Sequence, residues 1–292
     1  LSTGYHIAAW NLEPEPAKEF AKEQKDALLV VCGSLEDLVQ RLERPRTIII
    51  LIQSGEPVDE MIGQLQKILE PGDVLIDAGN SHFLDTERRF ESMKNLGIEF
   101  VGLGISGGPE GARLGPSLMF GGTEAAWDST RSPLTRIAAR SDYGVCSYRF
   151  GVGGAGHFVK MAHNGIEYAE MQMIAECYDV MKRGLGFESD ELSRAFSVFN
   201  EGVLGGFLIE LTASVISSKT VDLEDVVDAA EQKGTGRWAV EAGLSLGVPV
   251  PAIAAAVDAR TVSSQLGARQ LLSSRHSDSR EIFRKVESCR YR

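Results

Sequence analysis

Lys160, His163, Asn164, Glu167 and Tyr168 place an amine, an imidazole, an amide, a carboxylate and a phenol within nine consecutive residues. At about 100° per residue in a helix, the five fall within an arc of about 140°. Phe158, Val159, Met161, Ala162, Ile166 and Ala169 occupy most of the remaining circumference. A helix apolar on most sides is normally buried, and burying a charge is costly unless the charge is paired or used. Two readings follow. A Lys–Glu pair could tie two packed elements together, or the stripe could be the wall of a site, since acid–base chemistry needs both groups fixed on one rigid surface.

Two kinds of scaffold flank this stripe. Upstream of Gly153, strands and helices alternate. Tyr5–Trp10, Leu28–Val31, Thr47–Ile52, Val74–Asp77, Ile98–Leu103, Leu118–Gly121 and Tyr143–Phe150 read as strands. Pro14–Asp26, Leu35–Leu42, Val58–Leu69, Asp85–Leu96 and Ala125–Arg140 read as helices, the last interrupted near Pro133, and Gly104–Ser117 reads as a loop. Ser34 to Asp37 resembles a capping box. The alternation predicts an α/β, Rossmann-like doubly wound domain with a parallel sheet. From Gly154 onward no strand pattern is evident. One long helix to Arg183 is followed by Asp190–Phe199, Phe207–Ser217, Arg237–Leu246 and Ala252–Leu272, separated by glycines and prolines. The expected organisation is an α/β domain over 1–153 and an all-α domain over 154–292, with no element assigned to Ser273–Arg292.

Composition narrows the function classes. The chain has 292 residues, 43% apolar content and a formal net charge of −11. That is enough for a large core and two domains, and no Lys/Arg cluster suggests a nucleic-acid surface. A small anion can still bind, because positive charge in a cleft coexists with an acidic exterior. The four cysteines, Cys32, Cys146, Cys177 and Cys289, are dispersed, which indicates neither a zinc site nor a disulfide framework and fits a reduced cytoplasm. The longest aliphatic run, Ile48–Ile52, is too short to span a bilayer.

Ligands of an open α/β sheet sit beyond the carboxyl ends of the strands. Gly79-Asn80-Ser81-His82 and Gly104-Ile105-Ser106-Gly107-Gly108 occupy such ends, as binding loops or as ordinary turns. The fingerprint G-x-G-x-x-G occurs at Gly102–Gly107 and Gly151–Gly156. The first is followed by Gly108-Pro109-Glu110-Gly111, read as unable to open a helix, and the second lacks a following strand. Asn11, closing the strand Tyr5–Trp10, suits a ribose-binding position at a second strand, which places the first strand and its glycine loop upstream of Leu1. Gln232–Arg237 sets a cation and a hydroxyl ahead of a helix, a phosphate site or a surface loop. Arg260 lies in an apolar helix and asks for an anionic partner. His157 reads as a core histidine.

Gly79-Asn80-Ser81, Ile105–Arg113, Gly154–Tyr168 and Gln232–Trp238 together resemble the 6-phosphogluconate dehydrogenase family, in its long-chain form, from Leu1 to about Arg260. The resemblance implies oxidative decarboxylation of 6-phosphogluconate to ribulose 5-phosphate and CO2 in the pentose phosphate pathway, with NAD(P) reduced. It implies Lys160 as the base at the 3-hydroxyl and Glu167 as the acid that protonates C1. Asn80, Ser106, Gly107, Gly108, His163 and Asn164 match the groups that hold the carboxylate and hydroxyls. Tyr168, Lys233, Thr235 and Arg260 match those around the phosphate. Asn11, Ile52, Gln53, Ser54 and Asn80 match positions beside the cofactor. The implied cofactor is NADP, with NAD also admitted because Leu12 stands where the family has an arginine and Glu13 and Glu15 follow. No metal, nucleic acid or membrane is implied. The resemblance also implies a cytoplasmic homodimer when complete, and the chain matches the family as a piece lacking both ends. The alternatives are a related 3-hydroxyacid dehydrogenase and a non-catalytic fragment that binds sugar phosphate or a partner subunit.

Overall fold

The structure is a computed structural model that describes residues 1, 3–25, 28–218 and 223–275. Cys289, and Asp26 at the predicted end of the first helix, lie outside the described residues. The chain divides into two compact units, Leu1–Ala162 and His163–Arg292.

In the first unit strands and helices alternate as expected. The strands are β1 (Ile7–Ala9), β2 (Leu29–Val31), β3 (Thr47–Ile50), β4 (Val74–Asp77), β5 (Glu99–Ser106), β6 (Ser117–Gly121), β7 (Arg140–Ser141), β8 (Gly144–Val145) and β9 (Ser147–Gly151). The helices are α1 (Pro14–Gln24), α2 (Leu35–Gln40), α3 (Glu56–Leu65), α4 (Phe83–Lys94), α5 (Gly108–Leu114) and α6 (Glu124–Ile137). A five-stranded sheet runs β3-β4-β5-β6-β9, and β1 and β2 form a separate parallel pair. β4 is buried along its whole length and β5 from Phe100 to Gly104, the pattern of strands covered on both faces, whereas β3 alternates, with Ile48 and Ile50 buried and Ile49 exposed. One core packs Leu35, Leu38 and Val39 of α2 and Ile62 and Leu65 of α3 under Ile48, Leu75 and Phe100. The other packs Ala126 and Leu134 of α6 against Ile76, Val101, Leu103 and Phe120.

The sheet is not continuous. β1 pairs with β2 and β3 with β4, and a groove of about 870 Å³ follows the other edges of β1 and β3. Its lining includes Ile7, Ala9, Ile49 and Leu51, with Leu38 and Leu134 from the covering helices.

Four local expectations are corrected. The sheet is not wholly parallel: β5 and β6 are antiparallel, since Gly107–Pro116 between them is shorter than the dozen or so residues a parallel crossover needs. Gly108–Leu114 is not loop but helix α5. Pro109 pre-sets the first turn and Glu110 suits its positive end. Helix α6 runs unbroken through Pro133. Its cap, Thr123 Oγ1, accepts from Ala126 N at 3.1 Å, and its buried face of Ala126, Thr130 and Leu134 offsets the hydrogen bond that proline removes. Tyr143–Phe150 is two strands, because Cys146 turns its main chain to Ala139 and Leu118 instead.

Helix α7 (Ala155–Asp179) begins in the first unit and continues into the second, ending in a π-helical turn at Val180–Gly184. The second unit then holds α8 (Ser189–Glu201), α9 (Phe207–Ile216), α10 (Thr235–Leu246), α11 (Pro251–Ser264) and α12 (Leu266–Arg275). The expected single helix Ala252–Leu272 is thus two, parted at Gln265. Met181, Leu192, Phe196, Ile209, Ala213 and Ile216 form the core around α8 and α9.

Candidate active site

Lys160 sits in the first three turns of α7, packed on β5. A Cβ on Gly104 would lie 2.5 Å from Lys160 Cβ and 3.0 Å from the Gly156 carbonyl oxygen. One on Gly102 would lie 2.6 Å from Thr86 Cγ2 and 3.0 Å from His157 Nδ1. Gly102 and Gly104 face one side of β5, and His157 and Lys160, three residues apart, face one side of α7. The bare strand therefore admits the helix, and Lys160 is buried with only 9% exposure.

Both fingerprint matches are now accounted for by packing. Gly102 and Gly104 receive α7, and Gly156 abuts the backbone of Gly102, Met119 and Gly121. In the turn before α7, Gly153 and Gly154 crowd Glu87 and the Phe83 carbonyl, and Gly154 N donates to Glu87 Oε2 at 2.8 Å. Protein atoms thus occupy the space a pyrophosphate would take.

The two strand-end loops are built differently. Asn80 is exposed at the tip of a turn whose base is rigid: Gly79 N and Ser81 Oγ donate to the buried Asp77 carboxylate at 3.1 and 2.7 Å. The buried Arg89 reaches Asp77 at 3.3 Å and Asp59 at 2.9 Å. Hydrogen bonds from Arg89, opposed by burial, hold Asp59 below the ordinary carboxylate value. Sequence reasoning singled out neither Asp77 nor Arg89. The available signal was an acid closing the apolar strand VLID. Ser106 ends β5 opposite Ser117, and Gly107 and Gly108 turn the chain with φ of 130° and 61°, a region that favours glycine.

Within the second unit, the structure gathers Asn164, Tyr168, Thr235 and Arg260. Asn164 Nδ2 donates to Thr235 Oγ1 at 3.3 Å. The Arg260 guanidinium lies 4.7 Å from the Tyr168 ring centroid and donates to the Glu231 carbonyl at 2.9 Å. A Cβ on Gly236 would strike the Tyr168 ring at 2.7 Å, and one on Gly165 would strike Ala239 Cβ at 2.7 Å, so glycines bring α7 and α10 close. Thr235 opens α10 after Gly234 in the left-handed region, with the exposed Lys233 preceding them. His163 Nδ1 lies 3.3 Å from Asn164 Oδ1 and 4.0 Å from Glu167 Oε2. Lys160 and Glu167, seven residues apart on α7, are separated by about 10 Å of helix rise, too far to pair with each other.

Asn11, at the end of β1, donates to the Glu13 carbonyl at 2.7 Å and lines a cavity of about 800 Å³ with Leu12, Lys18, Ser34, Gln64 and Lys67. Lys18 pairs with Glu15 at 2.8 Å. Ile52, half-buried, presents its carbonyl beside Gly79, while Gln53 is exposed and Ser54 half-buried.

An α/β unit of nucleotide-binding type, carrying a buried lysine on the helix that leads into a helical unit, defines a two-part chain of the dinucleotide-binding fold class. Residues 1–151 match the NAD binding domain of 6-phosphogluconate dehydrogenase, and residues 156–290 match the C-terminal domain of the same enzyme. The chain belongs to the 6-phosphogluconate dehydrogenase family. It is 46% identical over 266 residues to the decarboxylating 6-phosphogluconate dehydrogenase 1 of Saccharomyces cerevisiae, covering 89% of this chain and 54% of that protein. The chain therefore spans about half the length of the curated relatives it matches. The Plasmodium falciparum 6-phosphogluconate dehydrogenase, solved apo, with NADP+ and with 6-phosphogluconate, superposes with a TM-score of 0.89 at 35% identity, covering 95% of this chain and 60% of that one. A Mycobacterium tuberculosis 3-hydroxyisobutyrate dehydrogenase shares the fold, with a TM-score of 0.68 at 20% identity over 91% of this chain and 87% of that one.

Proposed function

We propose that the chain carries the oxidative decarboxylation of 6-phosphogluconate to ribulose 5-phosphate and CO2, with Lys160 and Glu167 as its base and acid. The observation that carries this reading is Lys160 itself, a lysine buried against the glycines of β5 on a helix whose same stripe bears His163, Asn164 and Glu167. To serve as the base, Lys160 takes the proton from the 3-hydroxyl in its neutral form. NADP, when bound, accepts the hydride from C3. The 3-keto acid then loses CO2, and Glu167 delivers a proton to C1 of the enediol. Asn80, Ser106, Gly107, Gly108, His163 and Asn164 hold the carboxylate and hydroxyls.

Tyr168, Lys233, Thr235 and Arg260 hold the phosphate. Arg260 is braced by Tyr168 and the Glu231 carbonyl, with Thr235 at the start of α10, an arrangement suited to an anion. This cluster favours a phosphorylated acid over the unphosphorylated substrate of a 3-hydroxyacid dehydrogenase.

The cavity of about 800 Å³ beside Asn11 is large enough for the adenosine end of a dinucleotide, and in this reading Ile52, Gln53, Ser54 and Asn80 meet the rest of the cofactor. Leu12 brings no charge to a 2′-phosphate. In this reading Lys67, on the same cavity, supplies it, while Lys18 neutralises Glu15. A cytoplasmic homodimer is the assembly this reading implies. Among the described residues no helix is long and apolar enough to cross a membrane.

The test is release of labelled CO2 from 1-carboxyl-labelled 6-phosphogluconate with NADP or NAD. Turnover of an unphosphorylated 3-hydroxyacid in preference to 6-phosphogluconate would overturn the reading.

A further inference from the structure

His157 lies at the start of α7, three residues before Lys160, with only 2% exposure. Its Nδ1 is 2.7 Å from Thr86 Oγ1 on α4, and Thr86 Oγ1 lies 3.3 Å from the His82 carbonyl. A hydroxyl has one proton to donate. If Thr86 gives it to Nδ1, the shorter contact, the ring proton is on Nε2. That nitrogen makes no hydrogen bond. His157 therefore ties α7 to Thr86 of α4. Gly102 leaves room for the His157–Thr86 pair, just as Gly104 leaves room for Lys160.

We propose that His157 is a positioning residue: with Thr86 it sets the height and rotation at which α7 holds Lys160 over Gly104. A side chain needed only to fill space would be served by an apolar ring. A buried imidazole costs desolvation that a single 2.7 Å hydrogen bond must offset, and that bond adds a fixed direction to the packing of α7 on β5. The inference rests on Lys160 being the base, and its test does not.

The primary measurement is the acetylation rate of Lys160 by acetic anhydride, relative to the exposed Lys94 of the same chain, read by peptide mass spectrometry. It is compared in the parent chain, His157→Phe, His157→Asn and Thr86→Val. Asn can place an amide near the Nδ1 position, and Phe cannot hydrogen-bond. Relative reactivity at Lys160 is expected to change severalfold in His157→Phe and Thr86→Val, and to return toward the parent in His157→Asn. In turnover, kcat is expected to fall on the order of tenfold to a hundredfold, the scale of a small misplacement, with KM for 6-phosphogluconate little changed. Unchanged Lys160 reactivity in folded His157→Phe overturns the proposal, as does a change that Asn fails to reverse while Thr86→Val is silent. If His157→Phe does not fold, Thr86→Val alone decides in the same way. A parent chain that modifies as expected but never oxidises 6-phosphogluconate would remove the functional reading and leave the positioning role standing.

Discussion

Gly104 and Lys160 are in contact so close that a methyl group on the glycine would lie 2.5 Å from the lysine Cβ. The strand gives up a side chain so that the helix can seat its amine. Gly104→Ala should therefore lift α7, at a cost of about 1–3 kcal/mol for overpacking a tight interface. A thermal melt will show the destabilisation. Steady-state kinetics should show a loss of kcat larger than any change in KM, because the displaced group is the proposed base.

Lys160→Ala should abolish turnover, by at least about 10²-fold for loss of a general base, while 6-phosphogluconate still binds in a calorimetric titration. Glu167→Gln should slow release of ribulose 5-phosphate more than reduction of the dinucleotide, because its proposed role falls after hydride transfer. Equal slowing of both steps would move Glu167 out of that role.

Arg260→Ala should raise KM for 6-phosphogluconate by about 10- to 100-fold, the worth of a hydrogen bond to a charged group. Gluconate, which lacks the phosphate, should be almost insensitive. Comparing the two substrates in one variant separates loss of the phosphate contact from general damage to the Tyr168 face.

Lys67→Ala should weaken binding of 2′,5′-ADP more than that of 5′-ADP. Isothermal titration with the two nucleotides reads this without any catalytic step. Equal weakening of both would mean the cavity does not receive the 2′-phosphate at Lys67.

Burial holds His157 below its ordinary value, with Asp77 partly opposing, so the folded ring stays neutral where the unfolded ring, at about 6.5, takes up a proton. The unfolded state then binds more protons as the pH drops, and stability present above about 6.5 is lost toward the folded value. Thermal melts should show a declining midpoint from pH 7 to pH 5, with a shallower slope in His157→Asn. Asp73 behaves separately. Burial pushes it up, but hydrogen bonds from Glu70 N, Arg46 N and the Arg46 side chain leave it lowered, so its contribution holds above about pH 4 and is lost below.

Much of this arrangement could be read from residue order. A parallel strand covered on both faces announces itself as an apolar run such as VLID, and the stripe on α7 follows from the 3.6-residue period alone. What escaped depended on partners distant in sequence. The direction of β6 was decided by the length of the segment joining it to β5. Pro133 is tolerated because tertiary burial of Thr130 and Leu134 outweighs one missing rung. The glycines of β5 matched a nucleotide fingerprint because close approach of a helix and close approach of a phosphate ask the same thing of a backbone. His157 was legible as a buried histidine, but its bond to Thr86, 71 residues away, was not.

The bare side of β5 also sets how this polypeptide can vary: a methyl group at Gly102 or Gly104 would lie within 2.6 Å of Thr86 or Lys160, so a saturation scan should find these two positions the least permissive of the strand.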